Sequence, residues 1–168
     1  MRKKGTMVTT AKEIFIDHDI PEEQQISFLR HSAIGARLDT YMVLKERLGE
    51  EGIALFKDIL RQGYQGIVEM TKDLDFPTIA HFAGYGDHMM GLNSETDYIE
   101  EDVFQYSITQ CPYLEKSRER GLDMEFCHIF EEVYLDEINK HIGEFTEPER
   151  MCDGNSKCTF KMRNTLGK

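Results

Sequence analysis

The chain has 168 residues, of which 31 are acidic and 20 basic, for a formal charge of −11. That balance repels a phosphate backbone and removes nucleic acid from the expected partners. A composition of 40% hydrophobic and 30% charged residues with only four prolines suits a folded globular domain and not a disordered chain. The longest apolar runs are a few residues, far short of the roughly 20 that span a bilayer. The opening MRKKGTMVTTAKEIF lacks an apolar signal core. A cytoplasmic protein without a membrane partner is expected, built as one domain over 1–168: a lead segment 1–20, a mainly helical half 21–90, and a strand-helix-helix-hairpin half 97–163.

After the polar lead, Pro21 with Glu22 and Glu23 reads as a helix start, because acidic residues complement the positive end of the helix dipole. Ile26, Leu29, Ala33, Ala36, Tyr41, Leu44 and Leu48 recur at helical spacing, and Gly49 is a stop. The pattern resumes through Ile53, Phe56, Leu60, Ile67 and Met70, which predicts an antiparallel helix pair joined by a tight turn. The glycine-punctuated stretch DFPTIAHFAGYGDHMMGLN reads as a loop or broken helix. It carries His81 and His88, which either ligate a metal or line a pocket, or do neither, since seven residues apart they match no metal motif.

From Asp97 the period changes to two. Phe104, Tyr106 and Ile108 face one way, which predicts a strand ending at Cys111. Pro112 fits the first position of a helix running to Gly121, so Cys111 sits at its N-cap. A thiol there feels unpaired N–H groups and the positive dipole end, which favour the thiolate, making Cys111 a candidate nucleophile or soft metal ligand. The next helix, LDMEFCHIFEEVYLDEINKHI, carries an apolar stripe of Leu122, Phe126, Ile129, Phe130 and Val133. A second stripe holds Met124, Cys127, Tyr134, Leu135 and Ile138, and Glu131 projects into it. Cys127 and Glu131, at i and i+4, share the less exposed face; His128 and Glu132 lie on a polar side.

The end, FTEPERMCDGNSKCTFKM, reads as two short strands around a turn, with Pro148 confining the first to an edge or to its start. A two-residue loop sets Cys152 opposite Lys157. A three-residue loop sets Cys152 opposite Cys158, and that register alone permits a shared metal ion or a disulfide. Cofactor use is thus left between none and a cysteine-bound zinc held by Cys152 and Cys158. The whole is an α+β fold: an N-terminal helix pair on a small antiparallel sheet, two further helices, and a C-terminal β-hairpin.

The segments TQCPY, GLDMEFC and MCDGNSKCTF together resemble the L-2-amino-thiazoline-4-carboxylic acid hydrolase family over about residues 97 to 163. Cys111, Pro112 and Tyr113 match its first motif, Cys127 its second, and Gly154, Cys158 and Phe160 its third. Glu131 or Glu132 stands where aspartate is expected, and Asn155 follows the glycine where aspartate is common. The resemblance implies hydrolysis of a C–N bond in a small cyclic amidine to a carbamoyl-cysteine. Cys111, Cys127 and Glu131 are then catalytic, and Tyr113, His81 and His88 contact substrate. The C-terminal half is also similar to 4-vinyl reductase type domains, which implies a small-molecule-binding or sensing module, and a cysteine-based metal carrier is a third reading. A homo-oligomer stays open.

Overall fold

The computed structural model describes residues 20–165 apart from positions 101, 123 and 142. Helix α1 (Glu22–Leu48) starts after Pro21, with Glu22 and Glu23 in its first turn and Lys45 and Arg47 in its last, each charge opposing the dipole end beside it. Gly49, at φ 58°, ends α1 and begins α2 (Glu50–Thr71). The turn is tight because Gly52 has no side chain: a Cβ there would lie 2.0 Å from the Leu44 carbonyl oxygen.

The buried line of α1 is Ile34, Leu38 and Tyr41, at i, i+4 and i+7. Leu29 and Leu48, expected to face the core, are 65% and 45% exposed. Seven apolar residues over 27 positions describe a band wider than the face α2 can cover. On α2, Ile53, Phe56 and Leu60 are buried as expected, Met70 is exposed, and Tyr64 joins the core.

The stretch read as a loop or broken helix is a helix, α3 (Phe76–Met90). Asp75 caps it by accepting the Thr78 backbone N–H at 2.8 Å, Pro77 occupies the first turn, and Gly91 closes it in the left-handed conformation. Capping at both ends and burial of Phe76, Ile79 and Ala80 outweigh the helix-weakening effect of Gly84 and Gly86.

Strand β1 (Asn93–Ile99) pairs with β2 (Val103–Gln110), so the period-two region is a hairpin rather than one strand. Helices α4 (Pro112–Glu119) and α5 (Glu125–His141) then lead to β3 (Glu144–Glu149) and β4 (Cys158–Arg163). All pairings are antiparallel, in the order β1-β2-β4-β3. Phe104, Tyr106 and Ile108 are buried, as their alternation requires. Pro148 lies on the edge strand β3, where the ladder breaks between Thr146 and Glu149, a place that tolerates a missing N–H.

Neither expected register of the last hairpin occurs. Glu149 opposes Thr159, and Cys152 lies outside both strands in a short 3-10 turn, Met151–Asp153. Cys158 faces Ile108 of β2 across the ladder. The connection is long because the chain spends residues 150–157 on that turn, which removes Cys152 from any ladder position.

The core has two parts. Ile34, Leu38, Tyr41, Phe56, Tyr113, Phe126 and Val133 gather between α1, α2, α4 and α5. Phe76, Phe104, Tyr106, Ile138, Phe145, Phe160 and Met162 gather between the sheet, α3 and the far end of α5. The helix pair meets the sheet part through α5 and, on α2, at Val68. Cys111, Tyr134 and Met151 pack against both parts and mark the seam between them. Among the described residues, no helix is long and apolar enough to cross a membrane.

Candidate functional site at the seam between the two core parts

Three elements aim acid groups into the seam. Glu131 projects from the middle of α5 with its side chain 14% exposed. Glu147 comes from β3, two residues after buried Phe145 and therefore on the same face of the strand, with its side chain 0% exposed. Cys158 opens β4. One carboxylate oxygen of each glutamate and the Cys158 sulfur all lie within 4.8 Å of one another.

Arg150 is the cation beside them. Its Nε is 2.9 Å from Glu147 Oε2 and 3.4 Å from Glu131 Oε2. The second contact is an ion pair without a hydrogen bond, and Glu131 Oε2 and Glu147 Oε1 are buried with no N–H or hydroxyl donor, the two carboxyls hydrogen-bonding to each other. One guanidinium therefore serves two carboxyls. Burial, and next the hydrogen bond and charge of Glu147, push the Glu131 carboxyl far above the usual carboxylate range, so it holds a proton at neutral pH.

The thiols converge on the same place. The Cys127 thiol is pushed up by burial and then by the proximity of Cys111, Cys152, Glu131 and Cys158. Cys158 is raised by burial, against a hydrogen bond from the Met151 N–H to its sulfur at 3.3 Å. All four cysteines are free. Cys111 is indeed the N-cap of α4, but its expected thiolate does not follow. The first-turn N–H groups of Tyr113 and Leu114 do favour the anion, yet burial outweighs them, and Glu131 and Asp87 add to it, raising the thiol to about 11. A helix terminus is worth about a kcal/mol, whereas desolvating an anion costs several.

Cys152 and Cys158 do not share a donor group. Cys152 belongs with His128 and Asp153, whose donor atoms also lie within 4.8 Å of one another. That second group is at the surface: His128 Nε2 and Asp153 Oδ1 are 3.3 Å apart with side chains 42% and 47% exposed. Glu132, on the polar side of α5 as expected, pairs with Lys57 at 2.9 Å.

His81 and His88 stay exposed on α3. The titratable side chain of that helix that turns inward is Asp87. Burial raises its carboxyl to about 7 despite a hydrogen bond from the Tyr106 hydroxyl, and its Oδ2 is without a partner. Tyr134, packed against both core parts, lies beside this pair.

On the helical side of the seam, Arg37 donates to the Tyr113 hydroxyl at 2.8 Å. Its guanidinium carbon lies 5.3 Å from the Phe130 ring centroid and 5.9 Å from that of Tyr113. No carboxylate pairs with Arg37 among the described residues. The Tyr64 hydroxyl, buried and without a hydrogen-bond partner, feels both Arg37 and Glu131. The Tyr113 hydroxyl lies near enough to Cys111 and Asp87 to feel them. A separate hollow of about 200 Å³ lies between Ser27, Arg30, His31 and Ile34 of α1, Gly91, and Pro112 and Lys116 of α4, and none of the acid-cluster residues lines it.

Sequence reasoning missed Glu147, Arg150, Asp87, Arg37 and Tyr64. Two of these had a local signal: Asp87 continues the helical line Phe76, Ile79, Ala80 and Ala83, and Glu147 continues the strand alternation from Phe145. Comparison of the chain with known protein families, curated proteins and solved structures gives no match.

Proposed function

We propose that the chain is a hydrolase that opens a C–N bond of a small, carboxylate-bearing cyclic amidine of the 2-amino-thiazoline-carboxylate type. The observation that carries this reading is the juxtaposition of Glu131, Glu147 and Cys158, drawn from three different elements, with two buried carboxyl oxygens that no N–H or hydroxyl group satisfies. Isolated buried acids without partners are costly, and such clusters concentrate at sites that bind or react.

In the proposed reaction, water held and activated at the carboxyl pair attacks the amidine carbon. Its oxygen becomes the carbamoyl oxygen, the ring C–N bond breaks, and both protons of the water end on the ring nitrogen, which departs as the amine while the carbamoyl group stays on sulfur. Arg37, with the Tyr64 and Tyr113 hydroxyls, supplies donors for the substrate carboxylate near Glu131. Burial favours the neutral thiols of Cys111 and Cys127, and water is the nucleophile of the proposed reaction.

The test is incubation of the full chain with 2-amino-thiazoline-4-carboxylate, with mass analysis for the product heavier by one water. Turnover is expected, and Glu131→Gln should lower it at least about 100-fold, the scale of losing one acid/base group. Recovery of bound but intact thiazoline would replace the hydrolase by a binding module. Full turnover in Glu131→Gln would remove Glu131 from the chemistry.

A further inference from the structure

We propose that Glu131, Glu147 and Cys158 form the binding site of a single divalent cation of the zinc class. The inference rests on the reading of this seam as the reactive centre and says what fills it. The three donor atoms lie within 4.8 Å of one another. Around a tetrahedral zinc, with bonds of about 2.0 Å to oxygen and 2.3 Å to sulfur, neighbouring donors stand about 3.5 Å apart, so small rotamer adjustments close the site. The donors sit on α5, β3 and β4, so regular elements hold the geometry.

Charge is the second argument. The Glu147 side chain is 0% exposed, and neither its Oε1 nor Glu131 Oε2 is reached by an N–H or hydroxyl donor. Arg150 reaches Glu147 Oε2 and approaches Glu131 Oε2, which leaves one cationic side chain for two buried carboxyls. A dication displaces the proton that Glu131 otherwise holds, balances the second carboxylate this exposes, and takes an oxygen of each glutamate as a ligand.

Donor chemistry selects the ion. A thiol among the three donors, with the Cys127 thiol near enough to Cys158 and Glu131 to feel them, disfavours magnesium and calcium, which take oxygen alone. Two carboxylates and one thiolate make three protein ligands, the number that leaves a fourth position for water, and a zinc-bound water ionises near pH 7. Loading releases the Cys158 thiol proton and the proton held by Glu131. The Met151 N–H, donating to the Cys158 sulfur at 3.3 Å, acts as an outer support of that ligand. The surface group His128, Cys152 and Asp153 has no buried orphan atom to call for an ion.

The full chain, purified under reducing conditions and dialysed after zinc loading, should retain about one zinc per chain by elemental analysis. Glu147→Gln and Cys158→Ser should each weaken binding at least about 100-fold, whereas Cys152→Ser should retain the metal. Cobalt loading should give a thiolate-to-cobalt absorption in the near ultraviolet that disappears in Cys158→Ser and persists in Cys152→Ser, with circular dichroism confirming that each variant is folded. Metal-free wild type after loading, or full stoichiometry in Glu147→Gln or Cys158→Ser, would overturn the site. Loss of metal in Cys152→Ser would overturn the ligand set. Because metal content is read without substrate, a chain that binds zinc and leaves thiazoline intact sinks the hydrolase reading alone. A chain that turns thiazoline over with no metal sinks the cation site alone.

Discussion

The ring cluster around Phe126 and the seam a few residues along α5 use the same helix for opposite purposes. In the first, Tyr41, Phe56 and Phe126 pack at centroid separations of 5.4 to 5.9 Å. The polar tip of Tyr41 is satisfied there, by Glu125 at 2.7 Å, and Lys45 bonds to the same carboxylate. In the second, Asp87, Glu131, Glu147 and Tyr64 each leave a buried polar atom without a partner. The ring cluster holds the fold together. The seam costs stability, since an unsatisfied buried group is worth about 1–3 kcal/mol of penalty.

The contrast can be broken first at its stable side. Phe126→Ala should cost about 3–5 kcal/mol, the range for a large ring removed from a packed core, read as a fall in the urea midpoint with an unchanged slope. A loss under about 1 kcal/mol would mean that the ring cluster does not carry the helical half.

The seam side responds to pH. Asp87 titrates at about 7 in the fold against 3.8 for an unperturbed carboxyl. The folded state therefore holds the proton more tightly, so stability falls as pH rises from about 4 to about 7 and stays lower above that. The full shift corresponds to at most about 4 kcal/mol. Asp87→Asn should flatten this decline, making the variant more stable than wild type at pH 8 and nearly equal to it at pH 4 in urea denaturation at the two pH values. An equal pH dependence in both proteins would place the Asp87 carboxyl in water.

The smallest effect is expected outside. His128 and Asp153 are exposed, and pairs of that kind contribute little. His128→Ala should change stability by no more than about 0.5 kcal/mol and leave thiazoline turnover intact. A large change in either would mean that the surface group, and not the buried one, belongs to the site.

Much of the architecture was legible in the chain, and it was so where local rules agree. Phe104, Tyr106 and Ile108 alternate, Pro112 starts α4 after Cys111, and Gly49 ends α1. Even Glu131 could be placed on an inward face of α5, because a helix advances by a fixed angle and its neighbours Cys127 and Tyr134 are apolar enough to mark that face. The α3 helix was obscured by Gly84 and Gly86, whose poor propensity is overridden by packing on the sheet.

What the sequence determined alone is the α+β class, the helix pair at the start, and the presence of thiols and an acid on inward positions, since these follow from periodicities of 3.6 and 2 and from cap chemistry. Tertiary structure decided the rest. It joined Glu147 of an edge strand to Glu131 of a helix 16 positions earlier, placed Cys152 outside the hairpin ladder, and turned Cys111 from an expected thiolate into a thiol titrating near 11. Proximity across chain distance and the loss of water around a charge are properties of packing, and no local pattern encodes either.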